Sequence, residues 1–198
     1  MRTGKATLRG ALRARRRGLS AAQHKARSRA AQLAITRLRL FAAGSAVAIY
    51  LPIGAEVDTA LLRAAARRRG VRLYVPVIVD RRRRLLRFHP LTGPTSRGAH
   101  GIPVPRHPGR PRGARWLNLV VVPLVGVDRD GHRLGMGGGY YDRAFAFRWR
   151  RRAWRGPRLI GIAFDCQRVE SILVDHWDLR LDALATESGI VGFPPASR

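Results

Sequence analysis

Lysine is almost missing from this 198-residue chain: of 39 basic residues only Lys5 and Lys25 are lysine, and the rest are arginine. Acidic residues are also scarce, 12 in all, and none precedes Glu56. The resulting net charge of +27 would hold polyanions loosely at low salt. Proteins built to bind nucleic acid usually mix both cations, however. Arginine alone, beside abundant alanine, glycine and proline, reads as the codon bias of a GC-rich genome. An arginine-rich nucleic-acid-binding protein would also show interleaved aromatics and a docking module. Trp116, Trp149 and Trp154 fall among arginines, but no module surrounds them. The single cysteine, Cys166, excludes an internal disulfide and a cysteine-built metal centre, and it suits a reducing compartment. No run approaches the ~18 apolar residues of a membrane helix. The six histidines show no metal-ligand spacing, and no Ser-His-Asp or Cys-His pairing emerges. An acid-free, arginine-rich N-terminus has the look of a transit peptide, but an ordered helical pattern there argues against one. The expectation is a cytoplasmic protein with no membrane segment and no specific nucleic-acid partner.

What is present is a 45% hydrophobic chain, enough for one domain over 1–198 with a genuine core. Leu8 and Leu12 stand at i, i+4 in a short amphipathic helix over 5–17, interrupted at Gly18. Ser20 and Gln23 form a capping box opening a second helix that runs to about Leu40. Residues 46–52 read as an apolar strand. Asp58 or Thr59 can cap the next helix, which buries Leu61, Leu62 and Ala65 and ends at Gly70. Strands are predicted over 71–79 and 85–88. Residues 89–115, rich in proline and glycine, read as a long basic surface loop that could act as a flap. A strand over 117–127, a turn at 128–131, a helix over about 143–154 and a strand over 158–164 complete the pattern. Alternating strands and helices predict an α/β domain with a mainly parallel sheet. From Asp165 to Glu187 six acids face two arginines, which suggests metal binding or pairing with arginine.

The most informative segment is 131–143, Gly-His-Arg-Leu-Gly-Met-Gly-Gly-Gly-Tyr-Tyr-Asp-Arg. Gly135 and Gly137 to Gly139 let backbone approach a ligand closely. A strand, a glycine loop and a helix start converge N–H groups on an anion. Arg133 and Arg143 add charge, and Asp142 adds a hard oxygen suited to Mg²⁺. Neither standard nucleotide fingerprint fits: no lysine follows as in a P-loop, and Tyr140 stands where a dinucleotide fold needs glycine. A plain tight turn remains the alternative on the glycines alone. Tyr140 and Tyr141 could stack on a ligand ring, although one of two adjacent tyrosines packs inward. Glu56 falls at the carboxyl edge of a strand, where open α/β sheets bind ligands, or it merely complements a helix start. Lys5 and Arg9 share a helix face and need an anion between them unless both are simply solvated. Asp142, Asp178 and Asp182 could supply oxygen ligands to Mg²⁺, or the last two could pair with arginines such as Arg180.

Residues 121–143 as a whole closely resemble the signature of the 5-formyltetrahydrofolate cyclo-ligase (methenyltetrahydrofolate synthetase) family. Other parts agree in order: Lys5 with Leu8-Arg9, the run from Ala48 to Glu56 and Thr59, Gly101-Ile102-Pro103, and Asp178 with Asp182. The sequence departs from the family pattern at Val104, where an acid is usual, and in its Arg/Gly/Pro-rich 106–115. The resemblance implies a Rossmann-like α/β/α sandwich. It also implies a reaction in which 5-formyltetrahydrofolate and ATP, with Mg²⁺, give 5,10-methenyltetrahydrofolate, ADP and phosphate. Arg133 and Tyr140 would be catalytic. ATP would be held by Lys5, Arg9, Arg133, Leu134, Gly135, Met136, Gly137, Gly138, Gly139, Tyr140 and Tyr141. Leu51, Glu56, Met136 and Tyr140 would border the folate, with Glu56 on its pterin. Asp142 and Asp178 would serve the metal. The partners are then two small molecules, the folate with or without a polyglutamate tail, and the protein is expected to be a monomer. An inactive relative that only binds folate or nucleotide is the remaining alternative.

Overall fold

The computed structural model describes residues 2–98, 101–150 and 156–194. Seven strands form one sheet in the order β11-β10-β9-β6-β1-β2-β3. They are β1 (Ala46–Ala48), β2 (Arg72–Asp80), β3 (Leu85–Pro90), β6 (Leu119–Pro123), β9 (Arg158–Ile162), β10 (Ala183–Thr186) and β11 (Gly189–Gly192). The five central strands are parallel, and the edges β3 and β11 run antiparallel to their neighbours. The mixed α/β architecture follows from strand periodicity, since successive side chains point to opposite faces. Val47, Leu119, Val121, Ile160, Ile162 and Ala185 pack with Ala31 and Ile35 of α2 (Ala21–Thr36) and Leu62 of α3 (Ala60–Arg69). Ala46, Ala48, Val120, Val122, Leu159 and Leu184 face the other way, onto Phe145, Leu124 and Leu181. That second face is covered by two short helices, α4 (Tyr140–Ala144) and α5 (Phe147–Arg150), and by loops.

Local chemistry sets most boundaries. The Ser20 hydroxyl accepts from Gln23 N, and the Gln23 side chain accepts from Ser20 N, so the capping box stands. Ahead of it α1 spans Arg2–Arg17. The start of α3 is capped by Asp58, whose Oδ1 accepts from Thr59 N and Ala60 N, while the Thr59 hydroxyl donates to Tyr50 O instead. Gln32 reaches across from α2 to accept from Leu61 N and Leu62 N. Gly70 ends α3 in the left-handed conformation, φ 66, which glycine adopts at little cost.

Several expected boundaries move. Helix α2 ends at Thr36 rather than near Leu40, because the Thr36 hydroxyl folds back onto Leu33 O and the chain turns to bury Phe41. The strand expected over 117–127 stops at Pro123, which has no N–H for the ladder. The chain then forms a separate hairpin, β7 (Gly126–Val127) with β8 (Arg133–Leu134). Residues 89–115 are not a structureless loop: β4 (Thr95–Arg97) pairs with β5 (Pro103–Pro105), and Arg112 bridges to Phe88. The helix expected from Arg143 begins at Tyr140 and breaks at Phe145; its stretch 151–155 lies outside the described residues. Strands β10 and β11 were not anticipated. No described helix is long and apolar enough to cross a membrane.

Close packing of the second face gives a stability prediction. A Cβ on Gly161 of β9 would stand 2.6 Å from Leu181 Cδ1 and 2.7 Å from Leu124 Cδ2. Gly161→Ala is expected to cost about 1–3 kcal/mol through overpacking. Thermal unfolding should show a fall of roughly 3–10 °C for a chain of this size.

Candidate active site

Beyond the carboxyl ends of the central strands lies one large cavity of about 1450 Å³. Several separate stretches of sequence build it, among them β2 and β3 through residues 75–78, Arg84 and Leu86, and the β4–β5 hairpin through Ile102, Pro103 and Val104. Helix α1 contributes Lys5 and Arg9, and the exit of β1 contributes Tyr50, Leu51, Ile53 and Glu56. The 133–143 segment supplies its long wall, and Asp175, Trp177 and Asp178 close it from the C-terminal part. Every residue assigned above to ATP, folate or metal lines this cavity. Asp182 does not: Asp178 and Asp182 share no helix, and the Asp182 carboxylate accepts from Arg148 Nη2 at 2.7 Å and Leu159 N at 2.7 Å. It is a structural pin between α5 and β9.

The glycine wall is made by local backbone necessity. Gly137 and Gly139 sit at φ 98 and 68, a region that side chains other than glycine enter only with strain. Gly139 is the residue from which α4 starts. Helix α4 has five residues, too few for a strong macrodipole, so anion affinity here rests on loop N–H groups and on side-chain cations. Arg9 Nε donates to Gly135 O at 2.8 Å, tying α1 to the loop. Arg13 Nη2 lies 3.0 Å from the thioether of the half-exposed Met136. Tyr140 packs its ring against Gly138, where a Cβ would stand 2.8 Å away. Tyr141 is the inward member of the pair, stacked on Phe145 at 6.3 Å and beneath the Arg133 guanidinium at 5.6 Å.

Charges in the cavity are paired but not exhausted. Arg133 Nη2 donates to Asp142 Oδ1 at 2.9 Å, with its side chain only 6% exposed. Among the described residues its buried Nε has no hydrogen-bond partner, a cost of about 1–3 kcal/mol that an incoming acceptor would remove. Asp142 Oδ1 also accepts from Leu179 N. Lys5 Nζ donates to Asp175 Oδ2 and Asp178 Oδ2, each at 2.8 Å. Burial works against the Lys5 ammonium, but these two carboxylates outweigh it and hold its pKa above the ordinary lysine value. Burial pushes the Glu56 carboxyl upward, opposed by the Ile53 N–H that donates to it and by Arg16 and Arg13. Burial and the nearby Glu56 likewise raise the Tyr50 phenol, whose hydroxyl donates to Val57 O.

The cavity therefore offers a cationic glycine wall, hard carboxylates and an apolar side lined by Leu51, Val75 and Leu86. A polyphosphate and a flat, mostly apolar ring system are what such walls accommodate. The model of the 5-formyltetrahydrofolate cyclo-ligase family matches residues 1–187. The chain belongs to that family. It is 30% identical over 197 residues to the 5-formyltetrahydrofolate cyclo-ligase of Escherichia coli K12, covering 90% of this chain and 98% of that one. Among cyclo-ligase folds already solved, the Aquifex aeolicus 5,10-methenyltetrahydrofolate synthetase superposes with a TM-score of 0.80 at 26% identity, over 98% of this chain and 95% of that one. The Mycoplasma pneumoniae synthetase shares the fold, with a TM-score of 0.71 at 23% identity, over 92% and 98%.

Sequence reasoning missed several residues that line this cavity. Asp175, the second partner of Lys5, was visible only as one acid among six. Tyr50, Trp177 and Arg84 carried no signal, because only the folded chain brings β2, β3 and the C-terminal loop to the glycine wall. His132 and His176, which flank the site, are engaged within the protein: His132 Nδ1 bonds Asp128 Oδ2 at 3.0 Å, and the His176 ring packs edge-on to Trp177. Asp128, Asp130 and His132 do cluster, but Asp128 spends both oxygens on the N–H groups of Asp130, His132 and Ile172 and on that imidazole. That cluster shapes the turn before the wall.

Proposed function

We propose that this chain is an ATP- and Mg²⁺-dependent 5-formyltetrahydrofolate cyclo-ligase that releases ADP and phosphate. The observation that carries the reading is convergence. Residues from Lys5 to Asp178, 173 positions apart, line a single cavity, and they are the residues that the family resemblance assigns to nucleotide, folate and metal. The chemistry needs activation, because a formamide oxygen is a poor leaving group. That oxygen attacks the γ-phosphorus and ADP departs. The N10 amine then attacks the formyl carbon and gives up its proton, and the C–O bond breaks as phosphate leaves. No covalent enzyme nucleophile is required. Positioning and charge neutralisation carry the step.

In this reading Arg133 and Arg9, with the N–H groups of 134–141, hold the phosphates across the loop. Lys5, kept charged by Asp175 and Asp178, reaches the same anion. Glu56 takes hydrogen bonds from the pterin, while Leu51, Met136 and Tyr140 flank it. Asp142 and Asp178 each commit one oxygen to two protein donors and leave the other without one among the described residues. This donor set fits Mg²⁺, which keeps most of its waters and takes one or two carboxylates beside phosphate oxygens. There the ion would neutralise charge on the transferring phosphoryl group. A cavity completed within one chain supports a monomer, and a lone cysteine supports a cytoplasmic setting. Incubation with 5-formyltetrahydrofolate, ATP and Mg²⁺ is expected to produce the methenyl product, followed by its absorbance, with equimolar ADP. Folded protein that gives neither would sink the assignment.

A further inference from the structure

Alternate glycines of the wall each face a different arginine. A Cβ on Gly135 would stand 2.6 Å from Arg133 Nη1, one on Gly137 3.8 Å from Arg9 Cζ, and one on Gly139 3.5 Å from Arg84 Nη1. The first two arginines belong to the phosphate reading above. Arg84 has no role there, and it arrives from the turn between β2 and β3.

That turn is built to present it. Among the described residues Arg84 is the one non-glycine with positive φ, at 52, a strained conformation for a side-chain-bearing residue. Asp80 Oδ1 holds the turn by accepting from Arg83 N at 2.9 Å, and Arg84 N donates to Arg81 O. The guanidinium of Arg84 makes no hydrogen bond or ion pair among the described residues, and neither does that of Arg143. These two cations stand where the large cavity opens into a second groove of about 470 Å³. The groove has a floor of Leu85, Leu86 and Phe147, and none of its lining residues is acidic.

We propose that this groove takes the glutamate end of the folate, with Arg84 and Arg143 on its carboxylates. The inference rests on the cyclo-ligase reading and extends it to the far end of the substrate. An apolar floor with a cationic rim suits a methylene chain bearing carboxylates better than a strongly hydrated triphosphate. Lys5, Arg9 and Arg133 already provide three cations for phosphate. Exposed guanidinium–carboxylate contacts at a groove mouth act on affinity, not on the chemical step.

The test compares two ligands: 5-formyltetrahydrofolate, and the same compound with glutamate removed and the benzoate capped as an amide. Binding is measured by calorimetry and turnover by absorbance, in wild type, Arg84→Gly and Arg143→Ala. Glycine fits φ 52, so Arg84→Gly should unfold at or above the wild-type temperature. The wild type should bind the glutamate form about tenfold more tightly, equivalent to about 1.4 kcal/mol. Both variants should lose most of that preference while the KM for ATP stays unchanged. A preference retained in both variants would overturn the proposal, and so would a rise confined to the KM for ATP, which would mark a phosphate contact. Wild-type protein that binds both ligands but turns over neither would remove the catalytic reading alone.

Discussion

Arg133→Ala is expected to remove nearly all cyclo-ligase turnover, lowering kcat/KM by about 10³-fold, as loss of a preorganised cation at a developing charge does elsewhere. Its guanidinium lies over Tyr141, donates to Asp142 and lines the cavity. Alanine would also leave Asp142, 18% exposed, without its cation. Breaking a pair this enclosed costs about 3–5 kcal/mol, so lost activity alone could reflect a damaged fold. Arg133→Lys separates the two effects. An ammonium keeps the charge near Asp142, but it gives up the planar fork and the Nε donor that has no partner among the described residues. The lysine variant should therefore unfold within a few degrees of wild type while kcat/KM still falls by about 10²-fold. Parallel thermal unfolding and methenyl-absorbance assays decide the matter. A lysine variant with wild-type kinetics would show that Arg133 serves only to brace Asp142.

The same residue shows what the sequence made legible. Residues 131–143 could be read because their chemistry is written locally: glycines at φ 98 and 68 and a flanking arginine and aspartate all lie within thirteen positions. The Ser20–Gln23 box and the Gly70 stop are local in the same sense. Pairings that close the site are not local. Lys5 meets Asp175 and Asp178 across 170 and 173 positions, and i, i+4 spacing with Arg9 could say only that both needed an anion or were solvated. Two carboxylates of the chain itself meet Lys5, while Arg9 donates to the Gly135 carbonyl. Strands β10 and β11 have only four residues each, and alanine and glycine dilute the strand-forming Thr186, Ile190 and Val191. They are strands by virtue of the neighbours they pair with. The 89–115 stretch was misread for the opposite reason: its prolines at the start and end of β5 signal a loop, yet an isolated hairpin tolerates them at positions that donate no ladder bond.

Glu56→Gln is expected to move stability and activity in opposite directions. The carboxyl is 8% exposed and takes one backbone bond, from Ile53 N at 3.1 Å. Burial raises its pKa, and Arg16 and Arg13 only partly offset that. A group whose folded pKa lies above its unfolded value favours folding while protonated, and that contribution is lost as pH rises through the folded pKa. At neutral pH the ionised carboxylate is therefore a net cost to the native state. Glutamine keeps the acceptor for Ile53 N without the charge, and it should stabilise by about 1 kcal/mol, roughly 2–4 °C in Tm. The gain should fade on acidification through the carboxylate range, where Glu56 becomes neutral anyway. Loss of the Glu56 charge, which partly offsets the burial of Arg16, limits the gain, since that buried guanidinium is itself held below its ordinary pKa by desolvation. Activity should fall even so. An ionised acceptor aimed at pterin N–H donors is worth about 1.5–3 kcal/mol, so kcat/KM should drop by roughly 10- to 100-fold. Destabilisation at pH 7, or unchanged kcat/KM for the folate, would show that Glu56 is held for the fold of the 50–59 loop and not for the substrate.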